Sequence, residues 1–159
     1  MYKRQHEWYA HDVGKVYVSQ FDNLLGQWLG YPSTTCVHQP TCGQSLVLEA
    51  NGDVYACDHF VYPEYKVGNL TQQPLTEIVL SSKQQQFGLE KSQKLTALCR
   101  RCEFRKLCYG GCPKHRFISL ENEPNPHNYL CASYRYFFEQ TAPYIQAVAR
   151  QIRLHTSAA

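Results

Sequence analysis

Eight cysteines in a chain of 159 residues dominate its possible chemistry: Cys36, Cys42, Cys57, Cys99, Cys102, Cys108, Cys112 and Cys131. Four of them crowd into CRRCEFRKLCYGGCPKH, residues 99–115, spaced C-x2-C-x5-C-x3-C. Thiols this dense serve as disulfides, as zinc ligands or as iron–sulfur ligands. Disulfides call for an oxidising compartment, and eight cysteines allow roughly a hundred pairings. Zinc sites with four thiolates usually draw on two CxxC-like knuckles, whereas Cys99 and Cys102 form the one CxxC of this sequence. Iron–sulfur clusters accept irregular spacing, and a late cysteine of a dense run can ligate a second cluster. Eight thiolates divide without remainder into two [4Fe–4S] sites. Spacing alone leaves both metals open.

One reactive cluster is excluded. Radical S-adenosylmethionine (SAM) chemistry starts from a C-x3-C-x2-C motif. Cys108 and Cys112 begin that pattern, but His115 stands where the third cysteine is required, and no other triplet matches.

The cysteines need a scaffold, and composition bounds it. A chain of this length forms one domain with at most an appendage. A formal charge of +3 is too small to argue for nucleic acid. Arg100, Arg101, Arg105, Lys106, Lys114 and Arg116 interleave with the cysteines. They read either as a solvated basic loop or as counter-charge for an anionic metal centre. No window approaches the ~18 apolar residues of a membrane span. MYKRQHEWYAH lacks the apolar core of a secretory signal. The expected compartment is the cytoplasm, where thiols stay reduced.

Local pattern supplies the elements. The first clear signal comes at residues 13–29: GKVYVSQF alternates like a short strand, then Asp22 resembles the N-cap of a helix over DNLLGQWLG. SLVLEANGDVYAC places two alternating runs around Asn51-Gly52 and predicts a β-hairpin closed by Cys57. PLTEIVLSSKQQQFGLEKSQ predicts one helix, with Pro74 in its first turn. The cysteine-dense segment is expected to be mostly loop, with Gly110-Gly111 permitting a left-handed wrap. ENEPNPHN reads as a turn, and residues 130–154 as a C-terminal helix kinked at Pro143.

CVHQPTCGQSLVLEANGDVYACDHFVYPEYKVGNL, then CRRCEFRKLCYGGCPKHRF, then NYLC resemble the C-terminal SPASM domain of anaerobic sulfatase-maturating enzymes. The likeness runs from about Val13 to Phe138 and takes in all eight cysteines. Those enzymes are radical SAM oxidoreductases that convert a sulfatase cysteine or serine to Cα-formylglycine. The resemblance implies an α+β, cysteine-rich fold: a β-hairpin, loops wrapping two auxiliary [4Fe–4S] clusters, and flanking helices. It implies one cluster on Cys36, Cys42, Cys57 and Cys112 and a second on Cys99, Cys102, Cys108 and Cys131. It implies that Asp58 is the general base. A thiol titrates near ~8.5 and an aspartate near ~3.9, so that transfer is uphill by about 6 kcal/mol unless burial or coupled oxidation helps. His59 and His115 are expected as packing or hydrogen-bonding residues, and Phe60, Tyr62 and Tyr65 as core and cluster shielding.

The radical SAM barrel, with its SAM and third [4Fe–4S] cluster, is not in this sequence. The expected division is residues 1–30 as the barrel's remnant and linker, 31–131 as the twin-cluster domain and 132–159 as a C-terminal helix that would pack back on the barrel. The expected partners are an upstream radical SAM domain and a sulfatase polypeptide, with neither nucleic acid nor membrane. The alternative is a stand-alone electron-transfer or peptide-binding module with two clusters and no catalysis of its own.

Overall fold

The computed structural model describes residues 2–157. In chain order its elements are α1 (Tyr2–His11), α2 (Ser19–Leu29), β1 (Val47–Leu48), β2 (Asp53–Tyr55), β3 (Lys66–Asn69), α3 (Leu75–Val79), α4 (Ser82–Gln93), α5 (Ala97–Arg101), α6 (Arg105–Cys108), β4 (Arg116–Ile118), β5 (His127–Asn128) and α7 (Cys131–Ser157). They divide into two compact units, one taking in residues up to Thr35 and from Leu130 onward, the other Cys36–Tyr129. No described helix is long and apolar enough to cross a membrane.

The helical unit packs α7 against α1 and α2. Its core is Trp8, Phe21, Leu24, Leu25, Phe137, Phe138, Ile145, Val148 and Ala149. Trp8 stacks obliquely on Phe21 at 5.6 Å and donates from its indole to the Val16 carbonyl at 2.8 Å. The apolar face of α7, expected to pack back on a barrel, is covered by α1 and α2 within the unit. The expected strand at residues 14–21 does not form. Helix α2 starts at Ser19, and Asp22 accepts from the backbone N–H of Val18 at 2.7 Å. Helix α1 had no clear signal in the sequence, because its mean hydropathy is low and Trp8 is the one fully buried apolar side chain among its described residues. Helix α7 runs through Pro143.

The second unit is built on the expected hairpin. Strands β1 and β2 pair antiparallel with Leu48 opposite Val54, and β3 adds on the far side with Val54 opposite Gly68. One face of this sheet buries Val54, Ala56 and Val67 against Ile78, with Leu46 and Phe87 packed around them. The single helix expected after Pro74 is two. Ser81 breaks it by capping α4, its hydroxyl accepting from the Gln84 N–H, and Pro74 precedes α3 rather than lying in it. The dense cysteine segment is more helical than expected. Thr96 caps α5 by accepting from the Cys99 N–H, and α6 follows within four residues. Helix α6 ends in three consecutive left-handed residues, Tyr109 (φ 47°), Gly110 (φ 72°) and Gly111 (φ 63°). Glycine adopts this backbone freely, whereas Tyr109 costs about 1–2 kcal/mol there. Strands β4 and β5 then pair with Arg116 opposite Asn128.

Candidate metal centre

Helix α4 is the scaffold of the first cysteine group. Gln84, Gly88, Lys91 and Ser92 recur at helical spacing and so share one face. All four hold the loop that carries Cys36 and Cys42. The buried Gln84 amide donates to the Gly43 carbonyl at 2.8 Å and to the Ala56 carbonyl at 3.2 Å, fixing the residues beside Cys42 and Cys57 together. Gly88 accepts from the Cys42 N–H at 3.1 Å. A Cβ on Gly88 would lie 2.8 Å from the Cys42 carbonyl oxygen, so a hydrogen side chain is required for this approach. The Lys91 ammonium donates to the Cys36 and Val37 carbonyls, and the Ser92 hydroxyl to that of Pro40.

The result is convergence. Cys36, Cys42, Cys57 and Cys112 line one cavity, together with His59 and Phe60. Cys36 and Cys42 come from the loop before the hairpin, Cys57 from the end of β2 and Cys112 from the turn after α6. Phe60 lines the cavity and packs on Tyr65 and Phe87 at 4.7 and 5.4 Å, whereas Tyr62, expected in the core with Phe60 and Tyr65, is exposed. No disulfide joins any of the eight cysteines among the described residues.

The remaining four cysteines come from α5 and its C-cap, α6 and α7. Cys99 lies in α5, Cys102 just after it and Cys108 at the end of α6. The buried His38 imidazole hydrogen-bonds the Cys108 backbone, tying α6 to the Cys36 turn. Cys131 is the first residue of α7 and belongs to the helical unit.

Two histidines approach sulfur. His59 Nδ1 is 3.6 Å from Cys112 Sγ, and His127 Nδ1 is 3.7 Å from Cys99 Sγ and 3.0 Å from the Thr96 hydroxyl. His127 lies in the segment read as a polar turn, and nothing in its local sequence pointed to a cysteine 28 residues away. His115 packs edge-on against Tyr129, consistent with a packing role.

Asp58 is exposed on the turn after β2, and its carboxylate accepts from the Cys57 thiol at 3.2 Å. That hydrogen bond is the main reason its carboxyl sits below the usual range. Burial pushes the other way but is outweighed. A metal-bound Cys57 has lost the S–H, which removes this cause. Cys57 Sγ, an Asp58 carboxylate oxygen and a His59 ring nitrogen also lie within 4.8 Å of one another.

The residues present fit a soft, anionic metal group. Burial pushes the Cys57 thiol up to about 12, with the Asp58 carboxylate adding to it, and raises Cys42. Unmetallated, these groups stay protonated; a metal ion takes the proton's place. Yet two cations face them. Lys91 is 1% exposed and lies within electrostatic reach of Cys36, Cys42 and Cys112. Arg116 is half-buried and faces Cys42, Cys99, Cys108 and Cys112. Neither forms an ion pair with a carboxylate among the described residues. Buried charge is normally paired or bound to metal, and thiolates on a metal supply that pairing.

The comparisons agree with this geometry. The SPASM family, an iron–sulfur cluster-binding domain, matches residues 36–103. A serine-type anaerobic sulfatase-maturating enzyme of Bacteroides thetaiotaomicron is 43% identical over 147 residues, covering 92% of this chain and 35% of that protein. A cysteine-type enzyme of Clostridium perfringens is 34% identical, covering 87% of this chain and 37% of its own length. A solved structure described as native anSMEcpe with bound AdoMet and Kp18Cys peptide superposes with a TM-score of 0.76 at 34% identity, over 92% of this chain and 40% of that one. The chain therefore spans about a third of the length of the curated relatives it matches. It carries a SPASM iron–sulfur cluster-binding domain and is similar, over most of its own length, to part of the anaerobic sulfatase-maturating enzymes.

Proposed function

We propose that this chain is the auxiliary-cluster portion of a radical SAM enzyme that oxidises a sulfatase cysteine or serine to Cα-formylglycine. The observation that carries the reading is the convergence of Cys36, Cys42, Cys57 and Cys112 on one cavity from three separate segments. These four hold one [4Fe–4S] cluster, and Cys99, Cys102, Cys108 and Cys131 hold a second. A bound cluster of this kind supplies one-electron redox chemistry. SAM and a third [4Fe–4S] cluster belong to the upstream radical SAM domain, which residues 1–30 connect to this one. The complete protein works in the cytoplasm, where its thiols stay reduced.

The chain's own residues do the rest. Gln84, Gly88 and Lys91 fix the cysteine loop, Phe60 excludes water from one side, and the hairpin end presents Asp58 to the exterior. Oxidising a substrate side chain to the aldehyde level removes two electrons and two protons: one hydrogen atom would leave to the radical that the upstream domain makes from SAM, and the remaining electron would pass to a cluster held by these cysteines. Asp58 accepts one proton from the substrate hydroxyl or thiol, in step with oxidation, which offsets the unfavourable match between a carboxylate and so weak an acid.

The test joins this chain to its radical SAM domain and supplies SAM, reductant and a sulfatase-derived peptide. Mass spectrometry of the peptide should show serine losing two hydrogens, or cysteine also exchanging sulfur for oxygen. Asp58→Asn should keep its iron and lose about 10²-fold or more in rate. Full activity in that variant would remove Asp58 from the mechanism. No peptide oxidation by the wild-type protein with all clusters loaded would remove the reaction itself.

A further inference from the structure

The left-handed turn between Cys108 and Cys112 is held chiefly by one side chain, which bonds all three of its carbonyls. Arg116 donates through Nε to the Gly110 carbonyl at 3.2 Å. Its Nη2 donates to the Tyr109 carbonyl at 2.9 Å and to that of Gly111 at 3.3 Å. Its Nη1 reaches across to the Lys91 carbonyl on α4 at 2.7 Å. Asn128, directly opposite Arg116 on β5, donates to the same Gly110 carbonyl at 2.9 Å. The guanidinium therefore closes the three left-handed residues that separate Cys108 from Cys112, and these two cysteines fall in different ligand sets. It also ties that turn to the helix carrying Lys91.

Charge follows the same layout. Arg116 bonds the carbonyls between Cys108 of one set and Cys112 of the other, and lies within electrostatic reach of Cys42 and Cys99 as well. Lys91 donates to the Cys36 and Val37 carbonyls, on the loop that carries two cysteines of the first set, and lies within electrostatic reach of Cys36, Cys42 and Cys112. A four-thiolate [4Fe–4S] centre carries a net charge of about −2, which becomes more negative on reduction. A nearby fixed cation favours the reduced state and raises the potential.

We propose that Arg116 is a positioning residue and counter-charge shared by both cysteine sets, while Lys91 is a counter-charge private to the Cys36, Cys42, Cys57 and Cys112 set. The inference rests on the two-cluster reading above. It makes the two potentials respond together to one side chain and separately to the other. A lysine in place of Arg116 keeps the charge but not the fork that grips four carbonyls.

The experiment is a redox titration followed by electron paramagnetic resonance on the anaerobically reconstituted protein, with iron and sulfide counted first. The wild type is compared with Arg116→Gln, Arg116→Lys and Lys91→Met, and a Cys57→Ser background assigns the signals. Arg116→Gln should move both midpoint potentials to more negative values. Lys91→Met should move only the signal that Cys57→Ser removes, and Arg116→Lys should hold both near wild type. Unshifted potentials in a fully loaded Arg116→Gln protein, or a shift in one signal alone, overturn the inference. If Arg116→Gln fails to load, the other two variants decide: Lys91→Met moving both signals equally, or neither, overturns it. A wild-type protein that takes up no iron overturns the cluster reading itself, and this inference falls with it, before any variant is compared.

Discussion

Gly88 and Cys42 meet backbone to backbone. The Gly88 carbonyl accepts from the Cys42 N–H at 3.1 Å, and a Cβ on Gly88 would stand 2.8 Å from the Cys42 oxygen. Gly88→Ala must push the cysteine loop off α4, although alanine favours the helix itself by about 1 kcal/mol. The variant should fold with its helix content intact and lose the Cys36, Cys42, Cys57 and Cys112 cluster, about half its iron. Circular dichroism and an iron assay check both halves. Full iron in Gly88→Ala would show that the loop does not depend on this contact.

Ligand partition follows from the two sets. Cys112→Ser and Cys102→Ser should each remove about half the iron, but different halves, because Cys112 serves the cavity beside the hairpin. Their resonance spectra should be complementary and sum to the wild-type spectrum. Identical residual spectra would mean that Cys112 and Cys102 bind the same cluster.

The hairpin carries a pH-dependent component. Asp53 is bonded by the Lys66 ammonium, by the Asn69 amide at 2.7 Å and by the Asn51 amide at 3.0 Å. These donors, Lys66 foremost, hold its carboxyl below the ordinary range. A depressed carboxyl contributes stability above its unfolded pKa, near ~3.9, and loses it as pH falls through the folded value. Asp53→Asn should therefore be less stable than wild type at pH 7, and the gap should close below about pH 4. Urea unfolding of both proteins at each pH measures it, since cysteine ligands titrate alike in the two. A gap independent of pH would contradict the ion pair's role.

The helical unit depends on Trp8. Its indole is 2% exposed, and truncation opens a large cavity. Trp8→Ala should cost about 3–5 kcal/mol of that unit's stability. A thermal transition unmoved by the substitution would contradict the packing described.

Much of the fold could be read from local chemistry. Asn51-Gly52 between alternating apolar runs marked the hairpin, and Gly110-Gly111 marked the left-handed turn. The cysteines marked the site by type and density. What escaped was long-range and polar. The stripe Gln84, Gly88, Lys91 and Ser92 has helical spacing but little apolar content, so a search for hydrophobic periodicity passes over it. His127 meets Cys99 only because β5 pairs with β4. Arg116 looked like one more cation in a basic run, and its role depends on four carbonyls that the sequence cannot place. Residues 14–21 alternate as a strand would, but Val18 and Asp22 start a helix that Trp8 and α7 cover instead.

The most direct measurement is the content of iron and acid-labile sulfide in the anaerobically purified and reconstituted protein. Two [4Fe–4S] clusters predict about eight of each per chain, a brown colour and a reducible S = 1/2 signal. Stoichiometric zinc without labile sulfide, and no cluster assembly on reconstitution, would contradict the site described.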